Sequence, residues 1–520
     1  MNKAAFRGLF FVVFIGGAVL RFAWLDLRPM HHDEANQAVK FGTLLEKGEY
    51  QYDKSDHHGP SLYYLTLPAA WAFSQSSLAS LDEVTLRLVP ALFGALLVVL
   101  LLLFVKGAGR TAVLFAGLFA ALSPAMVYYS RFYIHEMLFA FFALGLLATF
   151  WRYLLYPSPG WALTAGIFAG LMYSTKETSV IIFAALGLAL VFTLVFDKIR
   201  PQTSYRLRAP NLAYFFLGLI FAAATAVAFF TSFFKNPEGI WGSFQAFRVY
   251  FEKSGATGAA GFHIQPWSYY LKLLAYTKAA GKPLWSEGLI LGLALVGAVS
   301  GFIRRGRKRT LASPAKFFFF YTLFSTAAFS IIPYKTPWNV LSFWLGWIVL
   351  AGIGAAFLVD IAPKAIGKVI VLVALAAGLF NLGLQSYRAN FKFYADSSNP
   401  YVYAQTGTDF LKLVDRVNGL AAVQPITKYE PIKVICGAYE TWPLPWYLRS
   451  FTNVGYWQEA EKAGQLEDAP LIIADQKQAA KLQTLLGDKY QSEYFGLRPN
   501  VLLILYVRQD IWQQYLKEKK

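Results

Sequence analysis

Long apolar segments recur along most of the 520-residue chain, and they constrain its fold more than any other feature. A helix needs about 20 mostly apolar residues to cross a bilayer. The segments therefore predict a mainly α, polytopic membrane bundle of about 11 transmembrane helices. The predicted spans are residues 7–26, 84–105, 111–129, 134–154, 160–175, 178–196, 211–233, 286–303, 315–332, 338–358 and 369–387.

The composition agrees with a membrane protein, because 56% of the residues are hydrophobic and only 15% are charged. Soluble domains carry about 25% charged residues. The net charge of +18 does not require a nucleic-acid partner, since much of it lies in short loops between apolar segments. The single cysteine, Cys436, excludes an intrachain disulfide. No small-residue cleavage site follows the first apolar segment, which predicts an uncleaved helix rather than a signal peptide.

The basic loops fall on one side of the predicted bundle. Lysine and arginine are enriched in cytoplasmic loops of membrane proteins, and the two strongest clusters lie in residues 197–208 and 304–309. The chain is therefore expected to be a multi-pass protein of the cytoplasmic (plasma) membrane with its N-terminus inside. The same arrangement places a long loop at 27–83, a second loop at about 234–285 and the C-terminal tail outside.

The tail differs in composition from the rest of the chain. No further span follows residue 387, and charged residues become more frequent. Strand-like segments alternate with helical ones, which indicates a small α/β domain. The chain thus divides into a transmembrane domain at 1–387 and a soluble extracytoplasmic domain at 388–520. The predicted strands are 432–438, 470–475, 492–497 and 501–507, and the predicted helices are 408–420 and 477–488.

Two histidines and two acids, His31, His32, Asp33 and Glu34, follow the first apolar segment directly. Acids in a first helical turn favour the helix dipole, so a solvated helix start is one interpretation. Acid–base chemistry is a second. A metal site is a third, because these histidines and the pair at 57–58 are four of only six in the chain. Adjacent histidines do not share a helix face, which argues against the third.

Three other polar segments fall on the same predicted outer face. Arg131 and Glu136 bracket a helix start, Lys176 interrupts the apolar stretch 160–196, and Lys335 lies in a loop stiffened by two prolines. Each has a purely structural alternative, respectively a snorkelling charge, a tight turn and a hairpin with interfacial aromatics. Ionisable residues at a membrane edge are nevertheless candidates for function.

Together these segments place carboxylates and cations at one membrane face. Group transfer from a lipid-linked phosphate needs such a set, because a carboxylate deprotonates the incoming group and cations stabilise the departing phosphate. No P-loop, GxGxxG, GxSxG or HExxH occurs in a plausible context, which argues against ATP-driven transport and serine hydrolysis.

Over about residues 7–390 the chain resembles the C-superfamily (GT-C) integral-membrane glycosyltransferases, which include protein O-mannosyltransferases and aminoarabinose transferases. The resemblance rests on the Asp33–Glu34 pair, the His-Gly-Pro-Ser-Leu-Tyr-Tyr run at 58–64, Arg131 with Glu136, and the Thr-Lys of 175–176. "YKTPW" at 334–338 and "WPLPWYLR" at 442–449 are similar to a subgroup labelled as flippase activity-associated.

The resemblance implies roles for individual residues. Asp33 would be the general base, and Glu34 its catalytic partner. Glu34 and Glu136 would hold the acceptor or a divalent cation such as Mg²⁺ or Mn²⁺, with His31 and His32 as further metal ligands. Residues that would bind the donor phosphate or the acceptor are Arg131, Glu136, Lys176, Lys335, His58 and Tyr63.

The resulting prediction is an inverting glycosyltransferase that moves a sugar from a polyprenyl-phosphate donor to an acceptor at the outer membrane face. The acceptor, whether protein, lipid or glycan, stays open. The alternative is a non-enzymatic lipid-linked sugar transporter, or flippase, or an accessory protein. Transporters often show internal repeats and broken midplane helices, and the chain shows no repeat, which favours the enzyme. Membrane lipids are the other expected partners, and no nucleic acid is expected.

Overall fold

The computed structural model describes residues 1–55, 58–199, 211–254, 261–303, 312–423 and 430–518. The fold is mainly helical, as predicted. The helices before the tail are α1 (Lys3–Phe22), α2 (His32–Lys47), α3 (Ser61–Ala72), α4 (Glu83–Leu100), α5 (Val105–Ala108), α6 (Arg110–Leu122), α7 (Pro124–Ser130), α8 (Glu136–Leu155), α9 (Pro159–Tyr173), α10 (Ser179–Ile199), α11 (Leu212–Phe230), α12 (Gly239–Ser254), α13 (Tyr269–Ala275), α14 (Gly288–Ser300), α15 (Ala312–Ile331), α16 (Leu341–Ile361) and α17 (Lys364–Tyr387).

The eleven predicted membrane spans are not confirmed. Within the described residues, seven helices are long and apolar enough to cross a membrane, or eight if the bent pair α6–α7 counts as one. Every predicted span lies on a helix, but α9 and α14 have only 15 and 13 residues. Such helices are about 20 Å long, whereas a bilayer core is about 30 Å thick.

The helices α8 and α16 form the centre of the bundle, and most of each is buried within the protein. Small residues let α14 approach α16 closely. A Cβ atom at Gly297 would overlap the carbonyl of Leu350, and one at Gly354 would overlap the carbonyl of Leu293. Backbone contact of this kind is common between membrane helices, where van der Waals packing drives association.

The predicted span 111–129 is bent by 57° between α6 and α7. Pro124 begins α7 and has no N–H to continue the helix. A buried carboxylate, Glu287, accepts hydrogen bonds from the Ser123 hydroxyl at 2.5 Å and from the Ala125 backbone N–H at 2.9 Å. The bend is thus stabilised from both sides of the break, and it carries the chain towards Arg131 and the start of α8.

A two-stranded hairpin, β1 (Thr277–Lys278) and β2 (Leu284–Trp285), precedes α14. The elements of the tail are α18 (Asp409–Val423), β3 (Ile432–Ile435), α19 (Leu444–Tyr447), β4 (Val454–Trp457), β5 (Leu471–Asp475), α20 (Ala479–Leu486), β6 (Tyr490–Arg498), β7 (Val501–Arg508) and α21 (Gln509–Glu518).

The tail forms a five-stranded sheet with the strand order β4-β3-β5-β7-β6. Strands β3, β4 and β5 are parallel, and β7 is antiparallel to both β5 and β6. The four predicted strands correspond to β3, β5, β6 and β7, whereas β4, α19 and α21 were not predicted.

Candidate active site

Asp33 lies in the first turn of α2, and a capping box fixes the start of that helix. The Nδ1 atom of His31 accepts a hydrogen bond from the Asp33 backbone N–H at 3.0 Å, and Glu34 Oε2 accepts one from the His31 N–H at 3.0 Å. The other ring nitrogen of His31 lies 2.9 Å from the carbonyl of Tyr403, so it donates. Burial lowers the pKa of His31 to about 4, and the ring is therefore neutral.

Glu34 is buried in a bidentate ion pair with Arg87. The Nε–Oε1 and Nη2–Oε2 distances are 2.7 and 2.8 Å, and the Tyr133 backbone N–H also donates to Oε1. Burial alone would raise the pKa of Glu34, but Arg87 and Arg28 outweigh it and lower the pKa to about 2. Glu34 is fully enclosed and paired with Arg87, so this placement explains how it holds the start of α2, and its catalytic role stays a prediction.

The environment of Asp33 differs from that of Glu34, because the Asp33 side chain is 28% exposed. Burial raises its pKa to about 7, and the negative charge of Glu136 adds to that effect, while Lys176 and Arg498 act in the opposite direction. A carboxyl group with a pKa near neutrality is suited to general base catalysis. The two adjacent acids thus have different surroundings, which shift their pKa values in opposite directions.

Lys176 lies in the connection between α9 and α10, and its ammonium group is almost completely buried. It donates to Glu136 Oε1 at 2.7 Å and to Asn339 Oδ1 at 2.8 Å. An ammonium group has three N–H donors. Within the described part of the chain these two bonds leave one donor for a ligand. Because Lys176 and Glu136 both act on the charge of Asp33, these three predicted residues lie within electrostatic reach of one another.

The segment 58–61 lies directly against this connection. The Gly59 N–H donates to the Thr175 carbonyl at 3.1 Å, and the Ser61 N–H donates to the Ser174 carbonyl at 3.1 Å. His58, predicted to bind the donor or acceptor, has its Nδ1 atom 2.8 Å from Glu177 Oε2. The neighbouring His57 is outside the described residues. This pairing of two predicted outer segments positions the backbone of Lys176.

We expect Gly59→Ala to disrupt that pairing, because a Cβ atom there would overlap the Ser174 carbonyl. Backbone atoms cannot move aside as a flexible side chain can, and overpacking typically costs about 1–3 kcal/mol. The variant should therefore show a lower unfolding temperature in detergent. Gly160→Ala is the matched control, since nothing lies within 4 Å of a Cβ atom there. Equal unfolding temperatures for the two variants would contradict the expectation.

The structure places Arg131 against the end of α1, and its phosphate contact stays a prediction. Its guanidinium group donates to backbone carbonyls at the end of α1, including those of Ala23 and Trp24. It also lies over the ring of Phe391, 4.7 Å from the centroid. Arg131 therefore satisfies carbonyls that the last turn of α1 leaves without helical partners.

Lys335 and Tyr63 likewise make contacts within the protein, and their part in ligand binding stays a prediction. Lys335 is 1% exposed, and its ammonium group donates to the carbonyls of Gln265 and Ile332. Tyr63 is fully buried, and its hydroxyl donates to Gln37 on α2. These two side chains stabilise the loops and helices around the site and do not line the site.

The predicted metal ligands do not form a metal site. Both ring nitrogens of His31 are engaged, one by a backbone N–H and one by a carbonyl, and Glu136 is paired with Lys176. No group of three His, Cys, Asp or Glu residues within the described ranges could hold a metal ion. The donor set therefore does not fit Mg²⁺ or Mn²⁺ at His31, His32 and Glu136, and a divalent cation stays a prediction without assigned ligands.

Several residues of the site were not identified from the sequence. Arg87 stands within an apolar span, and a charge in that context is itself a signal of function or pairing. Asn339, which accepts from Lys176, gives no such signal. Arg498 and Tyr439 belong to the tail, and only the folded chain brings them near α2.

Comparisons with known proteins bear on the fold of the chain. A family model described as dolichyl-phosphate-mannose-protein mannosyltransferase matches residues 11–237. The structure of ArnT from Cupriavidus metallidurans bound to undecaprenyl phosphate is 17% identical, with a TM-score of 0.64 over 97% of this chain and 98% of that chain. An Archaeoglobus fulgidus oligosaccharyltransferase tethered with an acceptor peptide is 13% identical, with a TM-score of 0.58 over 99% of this chain and 77% of that chain. No curated protein sequence matches the chain.

These similar proteins are GT-C glycosyltransferases, and the chain has their membrane fold. The membrane fold that the resemblance implied is thereby confirmed. The subgroup labelled as flippase activity-associated is not confirmed.

Proposed function

We propose that the protein is an inverting glycosyltransferase that uses a polyprenyl-phosphate-linked sugar as its donor. The observation that carries the proposal is the partly exposed carboxylate of Asp33, with a pKa of about 7, within electrostatic reach of the buried Lys176–Glu136 pair. It is supported by the GT-C fold and by the undecaprenyl phosphate bound to the similar ArnT.

The proposed reaction is a single displacement. The Asp33 carboxylate takes the proton of the acceptor hydroxyl or amine, and the freed electron pair attacks the anomeric carbon of the donor sugar. The bond from that carbon to the phosphate oxygen breaks, and polyprenyl phosphate leaves with the bonding electrons. The free N–H of Lys176 stabilises the negative charge that develops on the phosphate. One displacement from the opposite face inverts the anomeric configuration.

We also propose that the site faces the outside of the cytoplasmic membrane, with the N-terminus inside. The residues around Asp33 come from several segments that the basic loops predict to be external, namely 27–83, 131–136, 174–177 and the tail. Their convergence in one place supports a single catalytic face. Of the basic clusters behind the orientation, 304–309 and most of 197–208 lie outside the described residues.

The proposal is tested by incubating the purified protein in lipid with a panel of radiolabelled polyprenyl-phosphate sugars. Release of polyprenyl phosphate from at least one donor is the expected result. Movement of intact donor across the bilayer without release would support the transporter alternative and contradict the enzyme.

Lys176 variants test the phosphate contact. We expect Lys176→Met to lower turnover about 10²-fold, as loss of an electrostatic stabiliser of the transition state does. Lys176→Arg should stay partly active, because it keeps the charge but replaces a compact donor with a planar fork. Steady-state kinetics with the identified donor measures both.

Since Lys176→Met leaves Glu136 buried without its cation, a double variant with Glu136→Gln serves as the control for folding. It removes both charges together, and it should regain stability without regaining turnover. Wild-type turnover and donor affinity in Lys176→Met would show that the lysine only separates two helices.

The pH dependence of kcat/KM follows from the pKa of Asp33. Because burial and Glu136 raise that pKa to about 7, the base is protonated at lower pH. We expect kcat/KM to be high above pH 7 and to fall about tenfold per pH unit below it. In Lys176→Met the midpoint should move to higher pH, since the lysine lowers the pKa of Asp33. A profile that is flat from pH 5 to 8 would contradict the assignment.

A further inference from the structure

The tail holds the start of α2, the segment that carries Asp33. Its contacts come from two separate stretches, one between α17 and α18 and one around α19. The hydrogen bonds join the His31 ring to the Tyr403 carbonyl at 2.9 Å, Gln405 Nε2 to the Pro29 carbonyl at 2.8 Å, and the Met30 N–H to the Tyr447 hydroxyl at 2.9 Å. The tail is therefore part of the wall of the site.

The topology of the sheet explains why this side of the tail is suited to binding. Strands β3 and β5 are parallel, and β6 runs in the same direction as β5 because both are antiparallel to β7. Their carboxyl ends share one edge. Ligands of α/β sheets bind preferentially at that edge. Here it carries the segment after β3 and the last residue of β6, Arg498.

Aromatic rings from this edge face the residue next to Asp33. The rings of Tyr439 and Trp442 lie 6.3 and 5.8 Å from the ring of His32, measured between centroids. Tyr439 is 60% exposed, although nothing in its position requires an exposed aromatic ring. Exposed aromatic surface beside a reactive carboxylate is a feature of ligand sites.

Arg498 adds a donor group to the same place. Its Nη2 atom donates to the Tyr439 carbonyl at 2.6 Å, and a guanidinium group has five N–H donors. In the described part of the chain this bond leaves four of them available. Arg498 is also within electrostatic reach of Asp33. Arg498 is thus a second cation near Asp33, the proposed general base, and it lies on a different element from Lys176.

We propose that Tyr439, Trp442 and Arg498 form the acceptor subsite and that the acceptor is a saccharide. This inference rests on the proposed function, which places the donor phosphate at Lys176 and leaves the tail side for the acceptor. The aromatic rings pack on the apolar C–H face of a sugar, and the guanidinium donates to its hydroxyl oxygens.

The test uses the full-length protein, a fixed labelled donor and two sets of acceptors. The saccharide probes are methyl glycosides and short oligosaccharides of hexoses and hexosamines, and the others are peptides containing serine and threonine. Transfer to a saccharide is expected. Tyr439→Ala should raise the KM for that saccharide about tenfold, whereas Tyr439→Phe keeps the ring and should stay near wild type. Tyr494→Ala is the control, because Tyr494 is 63% exposed on β6.

Arg498 variants separate an acceptor contact from a donor contact. Arg498→Gln should raise the acceptor KM with little change in the donor KM, and Arg498→Lys should recover part of the loss. Three results would overturn the inference: transfer to peptides only, a rise in the donor KM instead, or equal behaviour of Tyr439→Ala and Tyr494→Ala.

A binding measurement keeps this test separate from that of the proposed function. Saturation-transfer NMR with the same saccharides needs no turnover. Binding that Tyr439→Ala loses and Tyr494→Ala keeps would support the subsite even if no donor were cleaved. Absence of saccharide binding to the wild-type protein, together with donor cleavage, would sink the inference and leave the enzyme assignment intact.

Discussion

Asp33→Asn is expected to abolish nearly all turnover while leaving the fold unchanged. Asparagine keeps the shape of aspartate but cannot take a proton, and loss of a general base typically costs about 10²–10⁴-fold. The backbone N–H of Asp33 makes the helix-capping bond to His31, and the substitution leaves it in place. The measurement is the rate of polyprenyl phosphate release at saturating donor, with the unfolding temperature measured in parallel.

Asp26→Asn is the matched control for this result. Asp26 is exposed and lies at the end of the first predicted span, one residue before that outer loop, so the same chemical change there should leave turnover at the wild-type level. If Asp33→Asn turned over donor as fast as Asp26→Asn, Asp33 would be excluded as the base.

Among the substitutions that replace a carboxylate of the site with an amide, Glu34→Gln is expected to be the most destabilising. It leaves the Arg87 guanidinium buried without its anion, and breaking a buried pair in this way typically costs about 3–5 kcal/mol. Arg87 also donates to the carbonyls of Leu25 and Arg28, so loss of the pair loosens the segment that leads into α2. The unfolding temperature in detergent should fall sharply, and turnover should fall with it.

A double-mutant cycle with Arg87→Met isolates the pair. The double variant should be less destabilised than the sum of the two single variants, because no unpaired charge remains. Glu238→Gln, at an exposed position, controls for the substitution itself. Normal stability of Glu34→Gln together with loss of turnover would instead support the catalytic role that the sequence predicted for Glu34.

Much of the helical architecture could be predicted from the sequence, because apolar length alone marks a helix in a membrane. The number of spans could not, since apolar segments of similar length fold into helices as short as α9 and α14. The bend between α6 and α7 depends on Glu287, which lies more than 150 residues away along the chain. In the tail, strand β4 is short and contains Gly455, a residue type that is depleted in strands, so its sequence gives a weak strand signal.

The site was predicted in part. Asp33, Glu136 and Lys176 were identified because acids and cations at a membrane edge are costly without a purpose. Arg131 and Lys335 are also cations at the predicted membrane edge, yet their side chains donate to backbone carbonyls. Sequence alone cannot distinguish a cation that binds a ligand from one that satisfies a helix end. Arg498 could not be assigned, because its place beside Asp33 depends on how the tail docks.

The central claim is a single displacement with Asp33 as base, and the anomeric configuration of the transferred sugar tests it most directly. Once a donor and acceptor pair is identified, NMR of the purified product gives the configuration at the anomeric carbon. The mechanism predicts inversion relative to the polyprenyl-phosphate donor, with no product from Asp33→Asn. Retention of configuration would require a covalent or two-step route and would contradict the assignment of Asp33 as a general base.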